Sequence, residues 1–259
     1  LQSDVNPPLV RIASLQKRYG KGAVILEDLN LDVSRGEFVT LIGPSGCGKS
    51  TLLKLIASLS PVTAGTLTVD GKSPQAARKE MAFIFQEATL LPWRTVTRNI
   101  ELPLEMLHVE DPERTETCAR MRKLVGLDHV PDHYPRQLSG GMKMRVSIAR
   151  ALSLAPEILL LDEPFGALDE MTRDRLNEQL LEIRAQQKFT AFFVTHSVAE
   201  AVFLSTRIIV LAANPGRIHR DITVPLAYPR SAATRESPEF LRCVAEVSRV
   251  LREINPDHP

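Results

Sequence analysis

Gly43-Pro44-Ser45-Gly46-Cys47-Gly48-Lys49-Ser50-Thr51 decides how this chain is read. The stretch fits GxxxxGK[ST]. Before it lies the apolar run FVTLI at residues 38–42; after it, residues 49–59 repeat Leu52, Leu53, Leu55, Ile56 and Leu59 at helical spacing. Strand, glycine-rich loop and helix in that order make a phosphate cradle. Glycines let the backbone curl until several N–H groups point inward. The helix that follows aims its positive end at the same anion. Lys49 can reach the β- and γ-phosphates of a nucleotide, and the Ser50 hydroxyl can ligate Mg2+. All nine residues, Gly43 to Thr51, are therefore candidate nucleotide-binding residues.

A second site lies at residues 158–164, ILLLDEP. A buried apolar strand does not normally finish in adjacent carboxylates, because unpaired charge is costly there. Alternation along the strand sends Asp162 and Glu163 to different sides. Asp162 is assigned to the metal and Glu163 to the general base that activates water. An acid pair at a strand end can also be a helix cap; it is the phosphate loop in the same chain that favours the catalytic reading.

The rest of the chain sets bounds. With 259 residues, 44% hydrophobic and 24% charged, it can bury a full core without disulfides or a structural metal. Net charge is +1, which gives no sign of nucleic-acid wrapping or a polybasic membrane tether. No run reaches the ~18 apolar residues that would span a bilayer. Cys47, Cys118 and Cys243 fit neither a disulfide framework nor a CxxC metal site, and a reducing compartment is expected. Residues 1–9 lack the apolar core of a secretory signal, and Leu1 is not an initiator methionine, so the sequence is read either as trimmed at its start or as beginning inside a longer chain.

Strand patterns are predicted at residues 9–15, 24–33, 66–69, 81–85, 158–161, 191–195 and 207–211, with an edge strand at 218–224. Asp70-Gly71 reads as a tight hairpin after 66–69. Helices are predicted at 96–108, 113–125, 140–154, 171–187 and 197–204. At residues 238–254, Phe240, Val244, Val247, Leu251 and Ile254 form one amphipathic face, expected to pack on its own domain. Strands separated by helices imply a parallel sheet with crossovers. The helical stretch near 96–154 looks like an insertion into it.

Between the two sites runs Leu138-Ser139-Gly140-Gly141-Met142, followed by Arg145-Val146-Ser147-Ile148-Ala149-Arg150-Ala151-Leu152. A Ser-Gly-Gly helix start is a second phosphate-sized anion site. Here the chain resembles the nucleotide-binding subunits of ATP-binding cassette (ABC) transporters, over roughly residues 9–224. The resemblance implies an α/β P-loop NTPase fold of ABC type. In it a mostly parallel core sheet joins an antiparallel β subdomain and a helical subdomain inserted at about 95–154. Residues 1–259 are expected to form one ATP-binding domain, with its last helix at about 238–254.

The resemblance also implies roles. Tyr19 matches the aromatic that stacks on adenine. Gln86 matches the glutamine that touches Mg2+ and senses the membrane partner. Ser139, Gly140, Gly141 and Met142 match the signature that closes over ATP held by the other subunit, although Met142 stands where glutamine is usual and removes a polar contact. Asp169 lies in the loop linking the two sites, and His196 matches the switch histidine at the γ-phosphate. ATP and Mg2+ are the implied cofactors, and a homodimer forms on ATP binding. The other implied partners are separate transmembrane permease subunits and a solute-binding protein. The implied location is peripheral, on the cytoplasmic face of the cell membrane.

Gln86-Glu87-Ala88-Thr89-Leu90-Leu91-Pro92-Trp93 is similar to the LLPW segment of importers for nitrate, aliphatic sulfonates and taurine. Trp93, the sole tryptophan, follows the sensing glutamine in an apolar, proline-stiffened loop. It is read as a membrane-subunit contact rather than a core residue. The rival readings are an ABC ATPase of DNA repair or chromosome packing, a small-molecule kinase, a regulatory ABC protein and an exporter subunit. A long coiled-coil insertion, which the first needs, is missing; the second leaves Ser139-Gly140-Gly141 unexplained.

Overall fold

The structure, a computed structural model, describes residues 7–254. The reading of residues 1–6 and the end of the expected domain past residue 254 lie outside the described residues. Two sheets share the chain. Val10–Arg18 (β1), Val24–Val33 (β2) and Ala64–Val69 (β4) form a three-stranded antiparallel sheet in the order β2-β1-β4. The larger sheet takes Phe38–Ile42 (β3), Met81–Ile84 (β5), Ile158–Asp162 (β6), Thr190–Val194 (β7), Arg207–Ala212 (β8) and Arg217–Thr223 (β9). Its order is β5-β6-β7-β3-β8-β9, parallel except for β9, which closes one edge antiparallel to β8.

Strands β3, β6 and β7 are buried on both faces, and their side chains alternate between two cores. Phe38, Ile42, Leu159, Leu161 and Phe193 face the helical side. Val39, Leu41, Ile158, Leu160, Phe192 and Val194 face the antiparallel sheet and the helix Lys49–Ile56 (α1). Each such side chain contributes ~1.5–3 kcal/mol by leaving water. The central strands and the loops at their ends are therefore held from both sides, and the phosphate loop is one of these loops.

Helices Val96–Met106 (α2), Glu113–Leu124 (α3) and Gly140–Leu152 (α4) occur between β5 and β6, which lie side by side in the sheet. Glu170–Gln187 (α5) and Val198–Leu204 (α6) complete the crossovers. A one-turn helix, Ala232–Arg235 (α7), was not anticipated. Pro238–Glu253 (α8) buries Phe240, Val247 and Val250 against the same core as α6.

One expectation is corrected and one is met in part. The helix after the phosphate loop ends at Ile56, because Ser58 turns to φ 55° and cannot continue it. The hairpin at Asp70-Gly71 is a single bridge, Val69 to Lys72. Strand β4 pairs with β1, far back in the chain, and no return strand follows Lys72 along its other edge.

Candidate functional site

The phosphate loop joins β3 to α1, and two of its glycines are required by contact. A Cβ on Gly43 would stand 2.2 Å from the Leu211 carbonyl oxygen, and one on Gly48 would stand 2.3 Å from Leu26 Cδ2. Gly48, at φ 97°, is also the residue that starts α1. Lys49 is nearly buried, its Nζ donating to the Gly43 carbonyl at 2.8 Å and the Pro44 carbonyl at 3.0 Å. The ammonium is thus held inside the curl of the loop.

Ser50 Oγ donates to Asp162 Oδ1 at 2.7 Å, tying the start of α1 to the end of β6. Burial pushes the Asp162 carboxyl above the usual carboxylate range; the Ser50 hydrogen bond pulls the other way, and neighbouring Glu163 adds to the rise. The next residue, Glu163, adopts φ 47°, a left-handed conformation rare for a non-glycine residue. Its N–H donates to the Val194 carbonyl at 3.1 Å. So anchored, the side chain meets His196 from the end of the adjacent strand β7, Nε2 to Oε1 at 2.7 Å. Gln86 Nε2 approaches Glu163 Oε2 at 3.5 Å, at the limit of a hydrogen bond.

Two adjoining cavities share this pair. One, of about 360 Å³, is walled by Tyr19, Ser45, Gly46, Gly48, Lys49, Ser50 and Thr51 together with Glu163 and His196. The other, of about 380 Å³, takes in Gln86, Arg173, Thr195 and Glu200 beside the same two residues. Cys47 is buried under the loop. Tyr19 is half-exposed, with Lys17 Nζ 4.5 Å from its ring centroid. A larger cavity of about 570 Å³, between α5 and residues 228–230, holds none of the predicted site residues.

Ser139, Gly140, Gly141 and Met142 line neither of the paired cavities. Ser139 caps α4, its Oγ accepting from the Met142 N–H at 3.2 Å. A Cβ on Gly141 would stand 3.0 Å from Thr172 Cγ2, so this helix start lies close against α5. Met142 packs against the core, which suits its apolar side chain. Asp169 caps α5, Oδ1 accepting from the Thr172 N–H at 2.9 Å, and this bond lowers its pKa. Trp93 is 71% exposed.

The sequence reading missed three residues that hold these loops. Asn99 of α2 is fully buried and makes four bonds to the backbone of the Trp93 loop. Its Oδ1 accepts from the Leu91 N–H at 2.8 Å, and Nδ2 donates to the carbonyls of Leu91, Arg94 and Thr95. Arg150 of α4 donates to the carbonyls of Ala88 and Thr89 at 3.1 and 3.0 Å. Arg173 of α5 donates to the Leu168 carbonyl at 2.9 Å. Only Asn99 left a signal, a polar residue three positions after Val96 and beside Ile100 on the apolar stripe of α2.

A glycine-rich loop between strand and helix, with an acid pair at the end of a parallel strand, defines a P-loop nucleoside triphosphatase. Residues 26–166 match the family described as ABC transporter. The chain is 46% identical over 247 residues to an uncharacterized ABC transporter ATP-binding protein of Methanocaldococcus jannaschii, covering 94% of this chain and 91% of that one. It is also 46% identical to the aliphatic sulfonates import ATP-binding protein SsuB of Bacillus subtilis, over 85% and 84%. Among solved structures it is similar to a dimeric ATP-binding cassette in a post-hydrolysis state bound to ADP and Pi. There the TM-score is 0.74 and the identity 32%, covering 84% of this chain and 100% of that one. The chain belongs to the ABC transporter ATP-binding family, and it is an ATPase.

Proposed function

We propose that this chain is the ATPase subunit of an ABC importer for small organic anions of the sulfonate class. The observation that carries the catalytic part is the Glu163–His196 pair, standing in the same cavity as Lys49 and Ser50. Lys49 and the loop N–H groups bind the β- and γ-phosphates of ATP, and Tyr19 stacks on adenine. Glu163 Oε1 is occupied by the His196 Nε2–H, which fixes the carboxylate. Oε2, whose nearest donor is Gln86 Nε2, takes the proton as water attacks the γ-phosphate. The products are ADP and phosphate, and His196 also contacts the γ-phosphate.

Ser50, Asp162 and Gln86 would hold Mg2+. Their oxygens suit a hard cation of the kind held by a few protein oxygens, substrate phosphates and water. Mg2+, when bound, neutralises charge on the phosphates.

Two copies would sandwich two ATP molecules head to tail, residues 139–142 of each completing the other's site and Asp169 lying in the loop between the sites. That residues 139–142 line neither of the paired cavities supports this, as does the dimeric state of the solved relative. No helix among the described residues is long and apolar enough to cross a membrane. Membrane passage would then belong to separate permease subunits, contacted through Trp93 at the cytoplasmic face and fed by a solute-binding protein. The sulfonate class rests on the SsuB relatives and on the LLPW segment. Purification from native membranes tests the assembly: membrane-spanning subunits should co-purify, and recovery of the chain alone would overturn the transport role. Uptake of labelled sulfonate, taurine and nitrate by the purified complex in vesicles then decides the solute.

A further inference from the structure

His196 is half-exposed, with a side-chain accessibility of 49%, so packing alone does not orient its ring. Its position comes from the backbone on either side, and that backbone is tied to one buried carboxylate. Ser197-Val198-Ala199-Glu200 has the S-x-x-E form of a capping box, in which the glutamate would accept from the Ser197 N–H. Here the box is rerouted. Ser197 Oγ accepts from the Glu200 N–H at 3.3 Å in the ordinary way. The Ser197 N–H, however, donates to Thr195 Oγ1 at 3.0 Å, and Thr195 Oγ1 donates to Glu200 Oε2.

The residues before and after His196 are therefore both anchored through Glu200. Glu200 is 4% exposed and Thr195 5% exposed, and both border the cavity that contains Glu163 and His196. A capping role alone would not need the carboxylate buried there, where ionisation is costly. Burial pushes the Glu200 carboxyl above the usual range, and its Thr195 bond, the Asn177 side chain and nearby Arg173 and Arg235 offset only part of this.

We propose that Glu200 is a positioning residue for ATP hydrolysis: through Thr195 and Ser197 it fixes the backbone of His196 so that the imidazole stays on Glu163 Oε1. The inference rests on the proposed roles of Glu163 and His196. A side chain displaced by about 1 Å near a reacting centre can lower the rate ~100-fold. Loss of Glu200 leaves the phosphate loop and Tyr19 untouched, so the effect falls on kcat and not on KM.

The test is a variant set in the isolated subunit. Glu200→Ala should lower kcat for ATP by about 10- to 100-fold with KM within about twofold. Glu200→Gln, whose amide oxygen still accepts from Thr195, should restore most of the rate. In a His196→Ala background, Glu200→Ala should cause no further loss, because its effect passes through His196. An undiminished loss in that background overturns the positioning role while leaving the reading of His196 intact. A His196→Ala variant with the parent rate overturns that reading and this inference with it. If Glu200→Ala does not fold, Thr195→Val removes the hydroxyl through which both bonds run, and the same outcomes decide. Independently, the His196 imidazole nitrogen signals in a 15N-histidine spectrum should shift in Thr195→Val; unchanged signals overturn the proposal.

Discussion

His196 Nε2 stands 2.7 Å from Glu163 Oε1, and the two residues reach that contact from the ends of adjacent parallel strands, β7 and β6. Glu163 does so from a left-handed backbone, at φ 47°. Such a conformation costs on the order of 1–3 kcal/mol and persists only where surrounding structure over-determines it. Here the Glu163 N–H bond to Val194 and the Gly166 N–H bond to the Glu163 carbonyl, both 3.1 Å, hold the turn. The strain is spent on aiming one carboxylate oxygen at His196 and leaving the other toward Gln86.

Glu163→Gln should therefore bind ATP as the parent does but lose turnover by about 100-fold or more. The amide keeps the shape and can still accept from His196, yet it cannot take a proton from water. Single-turnover hydrolysis with equilibrium ATP titration measures both halves. Near-parent turnover would remove Glu163 from the base role.

Lys49→Ala should weaken nucleotide binding itself, since it deletes the charge enclosed by the loop carbonyls of Gly43 and Pro44. Ser139→Arg should leave ATP binding intact and block hydrolysis, if residues 139–142 act on the nucleotide of a second copy. Mixing the two variants separates composite from self-contained sites. In a head-to-tail heterodimer one interface has lost both elements and the other retains both, so part of the activity should return. A mixture as inactive as either variant, with heterodimers demonstrably formed, argues against shared sites.

What could be read from the chain follows a physical divide. FVTLI and ILLLD were legible because a strand buried on both faces must be apolar throughout, and the loop glycines because no Cβ fits beside Leu211 or Leu26. The acid pair stood out as charge at the end of such a strand. The left-handed turn at Glu163 was not legible, since nothing in a glutamate announces positive φ. Nor were Arg150 and Arg173, whose partners are backbone carbonyls of distant loops and leave no periodic trace. The capping-box sequence at Ser197 misleads for the same reason: its rerouting through Thr195 exists only in three dimensions. The tight turn at Asp70-Gly71 forms where the sequence signals it, Val69 and Lys72 exchanging both backbone bonds at 2.9 Å, but no return strand extends it.

Asn99→Ala should free the Trp93 loop. Four backbone hydrogen bonds go with the side chain, and the Leu91 N–H and the Arg94 carbonyl lose their partner in a half-buried setting. Each such loss costs ~1–3 kcal/mol where water cannot substitute. Denaturant unfolding should give a destabilisation of about 2 kcal/mol or more, and amide exchange should quicken in residues 91–95 ahead of the rest. Exchange that rises uniformly would mean that Asn99 supports the whole of α2 and not this loop.

Trp93→Ala should leave the melting temperature of the isolated subunit nearly unchanged while reducing recovery with membrane subunits. The side chain is 71% exposed, so little apolar surface leaves the core with it. A core tryptophan would instead cost ~3–5 kcal/mol of folding stability. An interface aromatic that fills a partner pocket contributes ~2 kcal/mol or more to binding, roughly a thirtyfold loss in affinity. Asn99 and the Arg94–Glu105 ion pair at 2.6 Å keep the surrounding loop in place in this variant, so its effect should be confined to the partner contact. Undiminished co-purification with an unchanged melting temperature would show that the membrane partner docks elsewhere on the chain.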